Sequence, residues 1–202
     1  GDGDAATGYN TSGYPLARGF DWFVGQSSQV GCHNWYPSQI QNGSNISAAL
    51  ARNQQIDNAN CLNSSTPTCY WANDISADTG VGFIRAHAHE ASPFFLYLAT
   101  TTPHVGDLAG EKNNWPTPLA YMSKFGDDGE FGDWPLDQRQ FASATWAQDE
   151  IVGDVLRELD AQGIRNNTLV MFSGDNGPDS HSFQFFDDPG PYRGKKRSLH
   201  EG

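Results

Sequence analysis

The spacing of apolar residues along this chain changes near residue 93. From Phe94 to Ala99 the run Phe-Phe-Leu-Tyr-Leu-Ala is unbroken and aromatic-rich, and it stops at Thr100-Thr101-Thr102-Pro103. Proline has no N–H to give a ladder. Such a run predicts a strand covered on both faces, as in a parallel sheet. Farther on, Phe141, Ala144, Gln148, Ile151, Val152, Val155, Leu156 and Leu159 recur at steps of three and four. That stripe predicts an amphipathic helix, entered at Pro135 and left at Gly163. A second unbroken run, Thr168 to Ser173, lies between Asn166-Asn167 and Gly174 and predicts another strand. Strand, helix, strand is a βαβ unit, whose two strands end on one edge of the sheet. Ligands of open α/β sheets bind at that edge. The residues just past the runs are Thr102-Pro103-His104 and Gly174-Asp175-Asn176-Gly177-Pro178, so the topology predicts His104 and Asp175-Asn176 on one rim.

Residues 1–92 are rich in Gly, Asn, Ser and Gln and predict loops and short elements, with a helix near Ile46–Ile56. Residues 106–135 hold Gly, Pro, Asn and Asp densely and predict a long surface excursion. No internal repeat is visible.

Composition narrows the class. The 202 residues carry 12 basic and 24 acidic side chains, a formal charge of −12, with 37% hydrophobic residues. That supports a folded core and argues against nucleic acid, whose phosphates need a basic surface. No apolar run approaches the ~20 residues of a membrane span. Gly1-Asp2-Gly3-Asp4 does not open a signal peptide. A start at Gly1 and an end in mid-phrase at Glu201-Gly202 predict a fragment.

Cys61 and Cys69 flank a Ser/Thr/Pro loop that a disulfide could close, leaving Cys32 over; three buried thiols are the equal alternative. Asn10, Asn42, Asn45, Asn63 and Asn166 each begin an Asn-x-Ser/Thr sequon. Five exceed the roughly two that chance gives for this acceptor pattern, which favours an extracytoplasmic location.

Asp175 and Asn176 offer adjacent hard oxygens suited to Ca²⁺ or Mg²⁺, although Asp-Asn-Gly-Pro is equally apt as a plain turn. His104 is either an exposed loop residue or a proton donor to an oxygen leaving group. Arg193-Gly194-Lys195-Lys196-Arg197 gathers four of the 12 basic residues. It reads as a solvated loop or as an anion clamp. Asp127-Asp128 and Asp187-Asp188 read as solvated loop charges, and the alternation of His87 and His89 as a weak hint of metal.

Read as phrases, these segments resemble the sulfatase family. Thr168 to Pro178, Thr-Leu-Val-Met-Phe-Ser-Gly-Asp-Asn-Gly-Pro, is similar to the signature in which Asp and Asn supply two metal ligands. Pro93 to His104 resembles the segment ending in the substrate-binding histidine. Tyr192 to Gly202 resembles the block Arg-Gly-x-Lys-x-Ser-x-x-Glu-Gly, with Lys196 at the sulfate-contacting position and Lys195 one before it. His200 stands where the family often has Tyr. Gly19-Phe20-Asp21-Trp22-Phe23-Val24-Gly25 matches a further block, extended from Gln29 through His33-Asn34-Trp35-Tyr36-Pro37.

The family's nucleophile, a formylglycine made from Cys or Ser in Cys/Ser-x-Pro-x-Arg, should precede residue 19, and no such motif stands there. Ser65-Thr66-Pro67-Thr68-Cys69 has Cys where Arg is required and lies in the wrong order. The paired aspartates and the Lys-x-His segment of the family are also missing.

The resemblance implies an α/β fold of the alkaline-phosphatase superfamily, a mixed sheet flanked by helices, with residues 1–202 forming part of one catalytic domain. It implies hydrolysis of a sulfate ester, on a small molecule or a glycan, by a formylglycine located outside these residues. Asp175 and Asn176 would ligate the divalent cation, Lys196 would bind sulfate, and His104 would bind sulfate or protonate the leaving alcohol. The alternatives are a phosphomonoesterase or phosphodiesterase of the same superfamily, and a non-catalytic glycoprotein binding module. By itself this half-site is expected to be inactive and to bind Ca²⁺ weakly.

Overall fold

A computed structural model describes residues 13–26, 29–37, 39–43, 54–55, 70–106, 115, 117–128, 130–179 and 190–200. The chain divides into two units, residues 1–165 and 166–202.

In the first unit, the strands β1 (Phe23–Gly25), β2 (Gln39–Gly43) and β3 (Gln54–Gln55) form an antiparallel sheet with β2 in the middle. The register sets Phe23 opposite Gly43 and Ile40 opposite Gln54. A short helix, α1 (Gln29–His33), joins the first two strands. Of the helix expected over Ile46–Ile56, only Gln54 and Gln55 are described, and they are strand rather than helix. The rest lies outside the described residues. So do Cys61, Cys69, Asp187 and Asp188.

Three helices follow: α2 (Ala72–His87), α3 (Leu119–Met122) and α4 (Leu136–Ala161). The last of these is the helix predicted from the sequence stripe. Its buried positions Arg139, Ser143, Ala144, Ala147, Ile151, Glu158 and Leu159 repeat at helical steps. It ends where expected. Gly163 takes φ 70°, its N–H reaches Asp160 O at 3.0 Å, and the Ile164 N–H reaches Leu159 O at 3.1 Å. This pair of bonds satisfies the last carbonyls, and the left-handed residue between them is one glycine supplies without strain.

The sequence did not predict α2. Its inward face is Ala72, Asn73, Ala77 and Gly80, small residues that give little hydrophobic contrast, with Ile84 as its one large apolar side chain. Small size is what the packing needs: a Cβ on Gly80 would lie 3.2 Å from the Leu98 side chain. The α2–α4 pair is clasped by Arg85, which donates to both carboxylate oxygens of Glu158 at 3.1 and 2.7 Å. These bonds hold the Glu158 carboxyl below its ordinary range. The aromatic core includes Trp35, Trp71 and Trp115, each almost wholly buried.

The two apolar runs require a correction. Neither 94–99 nor 168–173 has a ladder partner among the described residues. Burial along the first alternates: Phe94, Leu96 and Leu98 are half-buried, whereas Phe95 and Tyr97 are 75% and 71% exposed. Phe94 packs edge-on against Phe83 of α2, with ring centroids 5.6 Å apart. In the second run Leu169 is 86% and Met171 83% exposed. Burial on two faces is a property of neighbouring strands, which the run itself cannot supply. The α/β class stands, but the shared rim inferred for His104 and Asp175-Asn176 rests on no ladder among the described residues.

Candidate functional site

His104 ends a loop fixed on three sides within the first unit. Asn73, fully buried on α2, donates from Nδ2 to Thr102 Oγ1 and accepts the Thr101 N–H and hydroxyl at Oδ1, both at 3.3 Å. The Thr102 hydroxyl donates to Gln148 Oε1 on α4 at 3.1 Å. Trp115 Nε1 donates to Pro103 O at 2.9 Å. The His104 N–H closes the turn on Thr101 O at 3.1 Å. Each buried polar atom of this network offsets the desolvation of another.

The exposed His104 ring then makes one informative bond, from Nδ1 to Val105 O at 2.7 Å. A carbonyl only accepts, so Nδ1 carries a proton and Nε2 is the nitrogen left for chemistry.

A second polar cluster underlies this unit. Tyr121 donates its hydroxyl to Asp74 Oδ1 at 2.6 Å. The Asp74 carboxyl is pushed above its ordinary value of 3.8 by burial, against the Tyr121 bond and with help from the Asp78 charge. A raised folded-state pKa means extra protons bound to the folded chain just above pH 3.8, so stability falls as pH rises through the folded value. Asp74→Asn keeps an oxygen for Tyr121 and removes the buried charge. It should melt higher than the parent at neutral pH, with the difference shrinking in acid; identical melting curves at both pH values would refute this.

In the second unit, Asp175, Asn176, Lys195, Lys196, Arg197, Ser198 and His200 line one open pocket of ≈ 470 Å³. Three of the four residues singled out from the sequence therefore share a pocket: Asp175, Asn176 and Lys196. His104 belongs to the other unit.

Two contacts tie the basic segment to the Asp-Asn segment. The Lys196 N–H donates to Pro178 O at 2.9 Å, and Lys196 Nζ stands 3.6 Å from Asp179 Oδ2. Lys196 is then the second residue of a turn closed by the Ser198 N–H on Lys195 O at 2.8 Å, with Arg197 at φ 70° in third place. A positive φ there is the mark of a type II turn. Lys195 is exposed, whereas the Lys196 side chain is only 21% exposed. Asn176 uses its Nδ2 to reach Gly177 O at 3.0 Å, and no donor among the described residues holds its Oδ1. A carboxylate and an amide oxygen beside a lysine suit a hard cation neighbouring an anion, and in that sense the donor set fits a divalent metal.

Asp179, Asn73, Gln148 and Trp115 were missed in the sequence. Only Gln148 carried a signal, as a polar residue on an apolar stripe. Asp127, read as a solvated charge, pairs with Arg139 Nη1 at 2.5 Å. His87 rests on the Phe83 ring, centroids 4.3 Å apart, and Nδ1 meets Glu90 Oε1 at 2.9 Å. Among the described residues no three His, Cys, Asp or Glu side chains gather as a metal set.

A family model described as Sulfatase matches residues 2–202. Arylsulfatase G of Homo sapiens is 25% identical over 202 residues, 93% of this chain and 34% of its own. An N-acetylgalactosamine-6-O-sulfatase of Bacteroides thetaiotaomicron is 30% identical over 138 residues, 63% of this chain and 23% of its own. Among solved structures, Ps i-CgsB in complex with k-i-k-neocarrahexaose superposes with a TM-score of 0.61 at 22% identity, over 97% of this chain and 40% of that one. That likeness supports the α/β fold. The chain spans about a quarter to a third of the length of the curated relatives it matches.

Proposed function

Because the chain belongs to the sulfatase family, we propose that the full-length protein hydrolyses sulfate esters on a glycan and that residues 174–177 and 195–200 hold half of its anion site. The observation that carries this reading is the pocket in which Asp175 and Asn176 face the same space as Lys196. The glycan is supported by the names of the Bacteroides relative and of the neocarrahexaose complex.

In this reading Asp175 and Asn176 hold a divalent cation, which when bound draws charge from the sulfate oxygens. The nucleophile is a formylglycine outside these 202 residues. Lys196 places an ammonium against the sulfate, where a fixed positive charge counts most as negative charge develops. His104, with Nδ1–H committed to Val105 O, gives a proton from Nε2 to the departing sugar oxygen when the ring is the doubly protonated imidazolium, and is left as the neutral Nδ1–H ring. The five sequons support an extracytoplasmic protein, and two of their asparagines, Asn42 and Asn166, are exposed.

The test is an assay of the full-length protein on sulfated galactan oligosaccharides and on a phosphate monoester. Sulfate release that stops with a chelator and returns with Ca²⁺ is the expected result. Chelator-insensitive release would remove the metal from this reading. Faster phosphate than sulfate release would favour a phosphoesterase.

A further inference from the structure

The segment Gln29 to Pro37 has no part in the chemistry above, yet its histidine lies on the catalytic candidate. The His33 and His104 rings are stacked, centroids 4.9 Å apart and planes inclined by only 6°. Two residues beyond each, the same segments meet again, since a Cβ on Gly106 would fall 2.5 Å from Trp35 Nε1. Trp35 is fully buried, so this second contact is anchored in the core. The His33 end is fixed as well. Gln26 Nε2 donates to Gly31 O and, at 3.3 Å, to Asn34 O; the Asn34 N–H reaches Gly31 O at 3.0 Å, and the Tyr36 N–H reaches Asn34 Oδ1 at 3.0 Å.

The hydrogen bond to Val105 O is a single tether on the His104 ring, and a swing about Cβ–Cγ breaks it, releases the tautomer and re-aims Nε2. A parallel ring on one face removes the swing. We infer that His33 is a positioning residue that sets the plane of the His104 imidazole, and with it the direction of Nε2, by stacking alone. This rests on the role proposed for His104. Stacking requires a flat ring, not a second titrating group, so an aromatic hydrocarbon should replace His33 and a methyl should not.

The experiment uses the full-length protein with His33→Ala, His33→Phe and His104→Ala. Turnover is measured on an unactivated sugar sulfate, and ¹⁵N-detected ring spectra report the His104 tautomer. His33→Ala should lower kcat about 10-fold, the lower part of what a misplaced catalytic group costs, with KM little changed. The His104 signals should shift from one tautomer toward a mixture. His33→Phe should restore both. Unchanged kcat and spectrum in His33→Ala would overturn the inference. So would equal losses in the Ala and Phe variants, which would mean His33 itself meets the substrate. If His104→Ala leaves turnover intact, the role proposed for His104 falls instead, and the tautomer shift in His33→Ala alone decides whether the stack orients the ring.

Discussion

Lys196→Ala in the full-length protein should lower kcat/KM for a sulfate ester by about 10²-fold or more, the range seen when one fixed donor to a developing anion is lost. Lys195→Ala should cost less than about fivefold, since a solvated surface charge contributes under about 1 kcal/mol. The two lysines are adjacent, equally charged and in the same pocket lining, so a diffuse electrostatic role would make them interchangeable. The backbone distinguishes them. Lys196 is fixed by its N–H on Pro178 O and by the Asp179 carboxylate, whereas Lys195 is exposed. A side chain already sheltered from water gives up less freedom on meeting an anion, and its charge is less screened. Side-by-side Michaelis–Menten measurements on one substrate check this. Equal losses would mean that the segment 192–200 aims no particular lysine.

The second large effect belongs to His104. His104→Ala should lower kcat by roughly 10²–10⁴-fold on sugar sulfates, the usual contribution of a positioned acid or base. On nitrophenyl sulfates the loss should be much smaller, because a nitrophenolate departs without a proton. The Nδ1–H bond to Val105 O leaves Nε2 as the nitrogen available for that transfer. A plot of the loss against the pKa of the leaving alcohol should slope upward. A flat plot would reduce His104 to a binder of the sulfate group.

How far the sequence could be read follows from where each signal resides. The helix Leu136–Ala161 was legible because its stripe and its terminating Gly163 both lie within the helix and its cap. Asp175, Asn176 and Lys196 were legible as phrases, and the structure places them in one pocket lining. Helix Ala72–His87 was not, because a face of Ala, Asn and Gly has almost no hydrophobic contrast. The runs 94–99 and 168–173 were misjudged as buried because composition records an appetite for cover without saying what provides it. Asn73 was invisible: an asparagine that clamps a loop 28 residues away looks like any other on the page.

That clamp bears on motion. Thr101 and Thr102 are bonded to Asn73 on one helix, Thr102 to Gln148 on another, and both helices are joined by Arg85 and Glu158. A loop so tethered should open only when the helix pair comes apart. Its amide at Thr101 should exchange with solvent deuterium as slowly as those in the middle of Ala72–His87. Turnover would then not wait on the Thr101–His104 loop, which is built as a bench and leaves the pace to other steps.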